Sequence, residues 1–210
     1  MVRILIADDY PIFRRGIGDL LAREFEGAVC GEAGNVQEAL AQMQSQDWNL
    51  VILDISLPGQ IGIQGLRELK ETRPKVPVLI LSGHPDDQFG KRLLRAGASG
   101  YLNKHSTAEE LVEAIRKLLA GGVYVSPALA EKLVLDLGGK GEECLHERLS
   151  DREFEVFRMV ASGMTISRIA EGLHLAVPTV GTYRTRVFEK MEMTTTSELI
   201  RYALRYGLID

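Results

Sequence analysis

The run LVIL, Leu50 to Leu53, leads four apolar residues straight into Asp54. A buried carboxylate is costly unless it is paired, hydrogen-bonded or bound to a metal. The ordinary alternative is a strand-end residue that surfaces and caps a loop. Other polar residues follow apolar runs in the same way: RILIADD ends in Asp8 and Asp9, VLILSG reaches Ser82, and GYLNK reaches Lys104. Three carboxylates brought together repel one another unless a cation neutralises them. An oxygen-seeking divalent ion such as Mg2+ does this and keeps room for phosphate oxygens. Lys104 and the Ser82 hydroxyl suit the other oxygens of a phosphoryl group. A carboxylate can itself be the nucleophile that accepts it. The expected chemistry is therefore phosphorylation of Asp54 beside a metal.

Such residues need elements that bring them to one place. RILIAD precedes a helix-period segment from Pro11 to Glu24, and AVCGEAG precedes one from Val36 to Met43. LVILD precedes Leu66 to Glu71, VPVLILSG precedes Asp87 to Leu94, and GYLNK precedes Ala108 to Leu119. Alternation of this kind implies a parallel sheet with helices on both faces. Its strands, covered on both sides, read as continuous Val/Ile/Leu runs. Ligands of an open parallel sheet sit beyond the carboxyl ends of the strands, where the acids, Ser82 and Lys104 stand. Ser106 and Glu109 are spaced as a capping box for the fifth helix, and Gly121-Gly122 stops it.

Pro127 to Leu135 then makes a short helix. GGKGEE, Gly138 to Glu143, lacks apolar periodicity and reads as a flexible or extended linker. From about Leu145 the pattern is all helical. Ser150 and Glu153 form a second capping-box spacing before Phe154, Val156, Phe157 and Val160, and Gly163 ends that helix. A short helix covers about Thr165 to Leu173. A third, from about Pro178 to Met191, turns Val180, Val187 and Met191 inward. Thr182, Thr185, Arg186 and Glu189 face outward, with Gly181 on the same side. Thr195 and Glu198 start a fourth, with Leu199, Ile200, Ala203 and Leu204 on its apolar face. The expected fold is an α/β domain with a five-stranded doubly wound parallel sheet, followed by a second, smaller all-α domain. The boundaries are read as 1–122, a linker with a short helix at 123–144, and 145–210.

Composition narrows the function classes. Hydrophobic and charged fractions of 45% and 26% belong to an ordinary globular chain. No apolar run approaches the roughly 18 residues of a membrane span, and MVRILIADD lacks the features of a signal peptide. Cys30 and Cys144 fit neither a disulfide framework nor a zinc cluster, which points to a reducing cytoplasm. Cys30 reads as a small core hydrophobe and Cys144 as a linker thiol. A net charge of −4 gives no global basic field. From Arg148 onward, 9 Lys/Arg face 8 Asp/Glu, so any nucleic-acid contact must come from a local patch.

On LIADD, VILDISLPG, LILSG and GYLNK, residues 1 to about 120 resemble a bacterial response-regulator receiver domain of flavodoxin-like fold. The resemblance implies that Asp8 and Asp9 bind Mg2+, with Asp54 and the backbone carbonyl of Ser56 completing the metal site. It implies that Asp54 takes phosphate from a sensor histidine kinase. Ser82 and Lys104 would coordinate the phosphoryl oxygens, and Tyr101 would change rotamer on activation. An aspartyl-phosphate phosphatase of similar fold would want a second Asp two residues beyond the nucleophile, where Ser56 stands. The reading is a regulator and not an enzyme. His84, two residues past Ser82, reads as an exposed loop residue.

The segment from Leu149 resembles the LuxR-type helix-turn-helix, on LSDRE, GMTISRIA, TVGTYR and KM. With the receiver, this points to the NarL/FixJ class of transcriptional regulators. A scaffold helix braces a recognition helix in the major groove. The resemblance implies DNA contacts from Thr179, Gly181, Thr182, Arg184, Thr185, Arg186 and Lys190. Arg184, Arg186 and Lys190 bring charge for phosphates, whereas Thr182 and Thr185 suit base edges or a thymine methyl. Ala176 stands where Ser commonly caps the recognition helix, a loss of roughly 1 kcal/mol, which Pro178 in the first turn partly offsets. Gly181 replaces a common Lys or polar residue, and a mid-helix Gly costs roughly 1 kcal/mol against Ala. The expected partners are a histidine kinase, double-stranded promoter half-sites and a second copy of the chain after phosphorylation, with no membrane. The alternative is output through a partner protein, with weak or no DNA binding.

Overall fold

A computed structural model describes residues 1–55, 57, 63–83, 89–137 and 144–209. Ser56, His84, Asp87 and the 138–143 linker lie outside the described residues. The first half alternates β1 (Arg3–Ala7), α1 (Pro11–Glu24), β2 (Val29–Ala33), α2 (Val36–Ser45) and β3 (Leu50–Asp54). It continues with α3 (Ile63–Thr72), β4 (Val78–Ser82), α4 (Phe89–Arg95), β5 (Gly100–Asn103) and α5 (Ala108–Leu119). The strands form one parallel sheet in the order β2-β1-β3-β4-β5. All five residues of β3 and of β4 are buried, as their apolar runs require.

Alternation along the strands divides the core. Ile4, Ile6, Leu50, Ile52, Leu79 and Leu81 pack against Ile17 and Leu21 of α1 and against Ala114, Ile115 and Leu118 of α5. Their sequence neighbours point to the other face, where α2 and α3 bury Ala39, Met43, Leu66 and Leu69. Register places the strand ends. Ala7 pairs with Leu53 and Ser82 with Asn103, so Asp8 stands level with Asp54, and Lys104 stands one step beyond the last pair. The sheet edge differs from expectation at Cys30. On the edge strand β2, Cys30 and Glu32 share an outer face, and Cys30 is exposed rather than in the core.

The cap of α5 also differs by one residue. Thr107 and Glu110, not Ser106 and Glu109, make the reciprocal capping box. STAEE offers both spacings, and the turn after β5 decides between them. Ser106 N–H is already held by the Asn103 carbonyl at 3.0 Å, which leaves Thr107 extended at the helix mouth. Gly121, at φ +83°, then ends the helix region.

The chain after α5 returns to the sheet. Tyr124 bridges Gly100 in parallel, its carbonyl accepting from Tyr101 N–H at 3.0 Å. α6 (Pro127–Leu137) follows, with Leu129 fully buried against Gly90 of α4. The chain divides into compact units at Leu133/Val134. Residues 123–133, read from the sequence as the start of a linker, thus pack with the first unit.

The second unit holds a 3₁₀ turn at Leu145–Arg148, then α7 (Asp151–Ala161), α8 (Ile166–Gly172), α9 (Val177–Lys190) and α10 (Thr196–Arg205). Capping boxes at Ser150/Glu153 and Thr195/Glu198 start α7 and α10. Phe154, Phe157, Ile169, Val180, Val187, Met191 and Leu199 are fully buried. His146 lies among Phe154, Tyr202 and Tyr206, its Nδ1 2.8 Å from the Tyr202 hydroxyl. Burial first of all pushes that phenol up to about 12. Leu204 departs from its expected place and is 54% exposed. The buried stripe of α10 is Leu199 and Ala203 at i, i+4, and the next residue turns about 100° away from it.

Candidate functional site

At the carboxyl edge of the sheet, Asp8, Asp9 and Asp54 each offer a carboxylate oxygen, and these atoms lie within 4.8 Å of one another. Asp8 and Asp54 are 2% and 3% exposed, and Asp9 is open to solvent. Lys104 Nζ donates to Asp8 Oδ2 at 2.7 Å and to Asp54 Oδ2 at 2.9 Å. Burial alone would lower the Lys104 pKa, but the hydrogen bonds and charges of the two acids outweigh it and hold the ammonium above the ordinary lysine value. The rings of Phe13 and Tyr10 lie 4.8 and 5.8 Å from the same ammonium. Cation–π attraction of this kind adds to its anchoring.

Local structure fixes the acids. Asp8 N–H donates to the Ala33 carbonyl at 3.0 Å, and Tyr10 N–H to Asp8 Oδ1 at 2.8 Å. Pro11 then starts α1 without a donor to satisfy. Arg14, one turn in, donates to the Asp8 carbonyl at 2.6 Å and to Glu32 at 2.8 Å, tying the acidic turn to β2. Ser82 is fully buried at the end of β4, and its carbonyl accepts from Lys104 N–H at 2.7 Å. Tyr101 is fully buried on β5. Beside it, a Cβ on Gly90 would stand 3.5 Å from the Tyr101 ring and 2.7 Å from Leu129. Three hard oxygen donors in so small a space fit a divalent cation, and the Lys104 ammonium provides counter-charge within the chain.

The second unit presents α9. Thr179, Thr182, Thr185, Arg186 and Lys190 are exposed, and Gly181 and Arg184 are half-buried. Ala176, at the cap, makes no side-chain cap bond, and Pro178 sits in the first turn. Two of the expected cations are engaged elsewhere. Lys190 Nζ binds Glu153 at 2.7 Å, and the Arg184 guanidinium lies 4.8 Å over Phe188 and 3.5 Å from the Thr196 hydroxyl. Burial favours the neutral form of Glu153, yet Lys190 and the Ser150 donors hold its carboxyl below the ordinary range.

Residues 4–116 match the response regulator receiver domain, and residues 147–203 match the luxR family of bacterial regulatory proteins. The chain belongs to the response-regulator family. Response regulator GacA of Pseudomonas aeruginosa is 34% identical over 212 residues, covering 100% of this chain and 99% of GacA. Response regulator UvrY of Escherichia coli is 30% identical over 212 residues, covering 100% of this chain and 97% of UvrY. A solved structure of RcsB from Salmonella enterica serovar Typhimurium, bound to a promoter in the presence of phosphomimetic BeF3-, is 25% identical. Its TM-score is 0.73, covering 96% of this chain and 97% of that one. Family membership makes this chain a regulator of transcription and not an enzyme.

This response regulator brings Asp8, Asp9, Asp54 and Lys104 into one cluster, with Ser82 at the adjoining strand end. Arg14, Tyr10 and Phe13, which the residue pattern does not single out, brace that cluster. The available signal was their position in and just before the first turn of α1, directly after the paired acids. Glu153 likewise carries no mark in the sequence as the partner of Lys190, because the two are 37 residues apart. No helix of the described residues is long and apolar enough to cross a membrane.

Proposed function

We propose that phosphorylation of Asp54 by a sensor histidine kinase switches this regulator, and that the phosphorylated chain dimerises and binds promoter DNA through α9. The reading rests above all on the cluster of Asp8, Asp9 and Asp54 under the Lys104 ammonium. Asp8, Asp9 and Asp54, with the Ser56 carbonyl, would hold Mg2+, which supplies charge neutralisation for the phosphoryl oxygens when bound. The Asp54 carboxylate attacks the donor's phosphorus, and an O–P bond forms as the P–N bond to the kinase histidine breaks. Lys104 shifts from carboxylate to phosphoryl oxygen, and the Ser82 hydroxyl donates to another. Tyr101, next to Gly90 and Leu129, carries the change to the α4–β5 surface by a change of rotamer.

Thr179, Gly181, Thr182, Arg184, Thr185, Arg186 and Lys190 form the proposed DNA face. RcsB bound to its promoter in the presence of a phosphomimetic supports the pairing of phosphorylation with DNA binding. Two half-sites about one helical turn apart would meet the two recognition helices of a dimer. The receiver limits 1–122, with 123–133 packed onto that unit, the helix-turn-helix limits 145–210 and a cytoplasmic location belong to the same reading. A protein-partner output is the alternative, favoured by the uncapped, weakly charged α9. Incubation with a small-molecule phosphodonor and Mg2+ should label the wild type and leave Asp54→Ala unlabelled. Equal labelling would defeat the phosphorylation half. Absence of salt-sensitive binding to any promoter fragment would defeat the DNA half and favour the partner protein.

A further inference from the structure

On the outer face of α9, beside Arg186 and Glu189, stand two short side chains whose donors are turned inward. Thr182 Oγ1 donates to the Pro178 carbonyl at 3.1 Å, and Thr185 Oγ1 to the Gly181 carbonyl at 3.1 Å. A threonine hydroxyl has a single hydrogen. With that hydrogen held by the carbonyl one turn back, each residue offers a neighbour a methyl group and oxygen lone pairs. Gly181 shares this side, and a Cβ there would meet nothing within 4 Å, so the helix backbone is open to close approach. Arg184 and Lys190 are engaged with Phe188 and Glu153.

Base-pair chemistry gives this face a preference. In the major groove, guanine shows two acceptors and is read by bidentate Arg or Lys. Thr182 and Thr185, which show it only methyls and lone pairs, have nothing to donate to it. G·C and A·T pairs both present an amino donor that a lone pair can accept from, the cytosine N4 group or the adenine N6 group, and only the A·T pair adds the thymine methyl that matches a threonine methyl. We propose that Thr182 and Thr185 are specificity-determining residues that read thymine by its 5-methyl group. The duplexes chosen by this regulator then carry A·T pairs opposite positions 182 and 185. Arg186, exposed on the same helix, is left for the phosphates. This inference rests on the reading that α9 enters the major groove.

The test uses the full chain, treated with a phosphodonor, to select duplexes from a randomised pool. The selected duplex is remade with each thymine in turn replaced by deoxyuridine, which lacks only the methyl. Loss of a thymine methyl opposite α9 should weaken binding about fourfold, the effect of one buried methyl-sized group. Thr182→Val and Thr185→Val, which keep the methyl, should retain this sensitivity. Thr182→Ser and Thr185→Ser, which keep only the hydroxyl, should lose it. Equal binding of the thymine and deoxyuridine duplexes at every position would overturn the proposal. So would Ser variants that retain the sensitivity while the Val variants lose it. If no duplex is enriched at all, the DNA reading itself fails, and the inference falls with it.

Discussion

Asp8 and Asp54 are 2% and 3% exposed and share one ammonium, whereas Thr179, Thr182, Thr185 and Arg186 of α9 are open to solvent. The first region is assembled before any partner arrives, because desolvated charges must be matched within the chain or they destabilise it. The second needs no such preparation. Water satisfies an exposed helix face, and contact with a polyanion draws its driving force from counterion release at the moment of binding. Errors in the first region should therefore appear as lost stability, and errors in the second as lost recognition.

The largest effect is expected at Lys104. Lys104→Ala leaves two buried carboxylates facing each other and should destabilise the first unit by about 3 kcal/mol or more at neutral pH, measured by urea unfolding. Added Mg2+ should restore much of the loss. A variant with an unchanged unfolding midpoint would show that the pocket is not held by charge. The raised Lys104 pKa gives a contribution that is complete below the unfolded value of about 10.4. It is lost only as the pH rises through the folded value.

Gly90 comes next. A Cβ there would stand 2.7 Å from Leu129 Cδ2, and Leu129 is fully buried. Gly90→Ala should cost about 1–3 kcal/mol by overpacking. In the Leu129→Ala background the added methyl should be tolerated, so the double-mutant cycle will depart from additivity. Strict additivity would mean that α6 does not seat on α4 through this pair.

Ser150→Ala should cost the second unit about 1 kcal/mol through its lost cap, read as a lowered unfolding midpoint. Glu153, whose pKa is depressed, should stabilise that unit fully above the unfolded carboxylate value of about 4.3. The contribution should fade as the pH falls through the folded value, and Glu153→Gln should flatten that acid limb. The smallest effect has the opposite sign. Gly181→Ala adds a Cβ into open space on a helix and should stabilise the second unit by up to about 1 kcal/mol. Any loss of DNA affinity in that more stable variant would separate recognition from stability.

The legible part of the site was the part written in short spacing. Asp8-Asp9, Asp54, Ser82 and Lys104 each end an apolar run, so their strand-end position could be read one element at a time. The engagement of Lys190 by Glu153 was not legible, since an outward Lys in a helix pattern carries no mark of a partner 37 residues away. Arg14 was hidden for the same reason. Its two acceptors, the Asp8 carbonyl just past β1 and the Glu32 carboxylate on β2, come together only when the two strands pair.

By itself the sequence determined the alternation of strand and helix, the inward stripes of α7 and α9, and the caps at Ser150 and Thr195. These depend on the polarity period of the chain and on hydrogen bonds spanning three or four residues. Tertiary structure decided which of two adjacent capping boxes opens α5, and that Cys30 and Leu204 face outward. It also seated Leu129 beside Gly90 and brought acids at the ends of β1 and β3 onto one lysine after β5. Those outcomes depend on strand order and register, which join residues as far apart as Asp8 and Lys104. Charge pairing falls off with distance in space, and the chain alone does not state that distance until the sheet has formed.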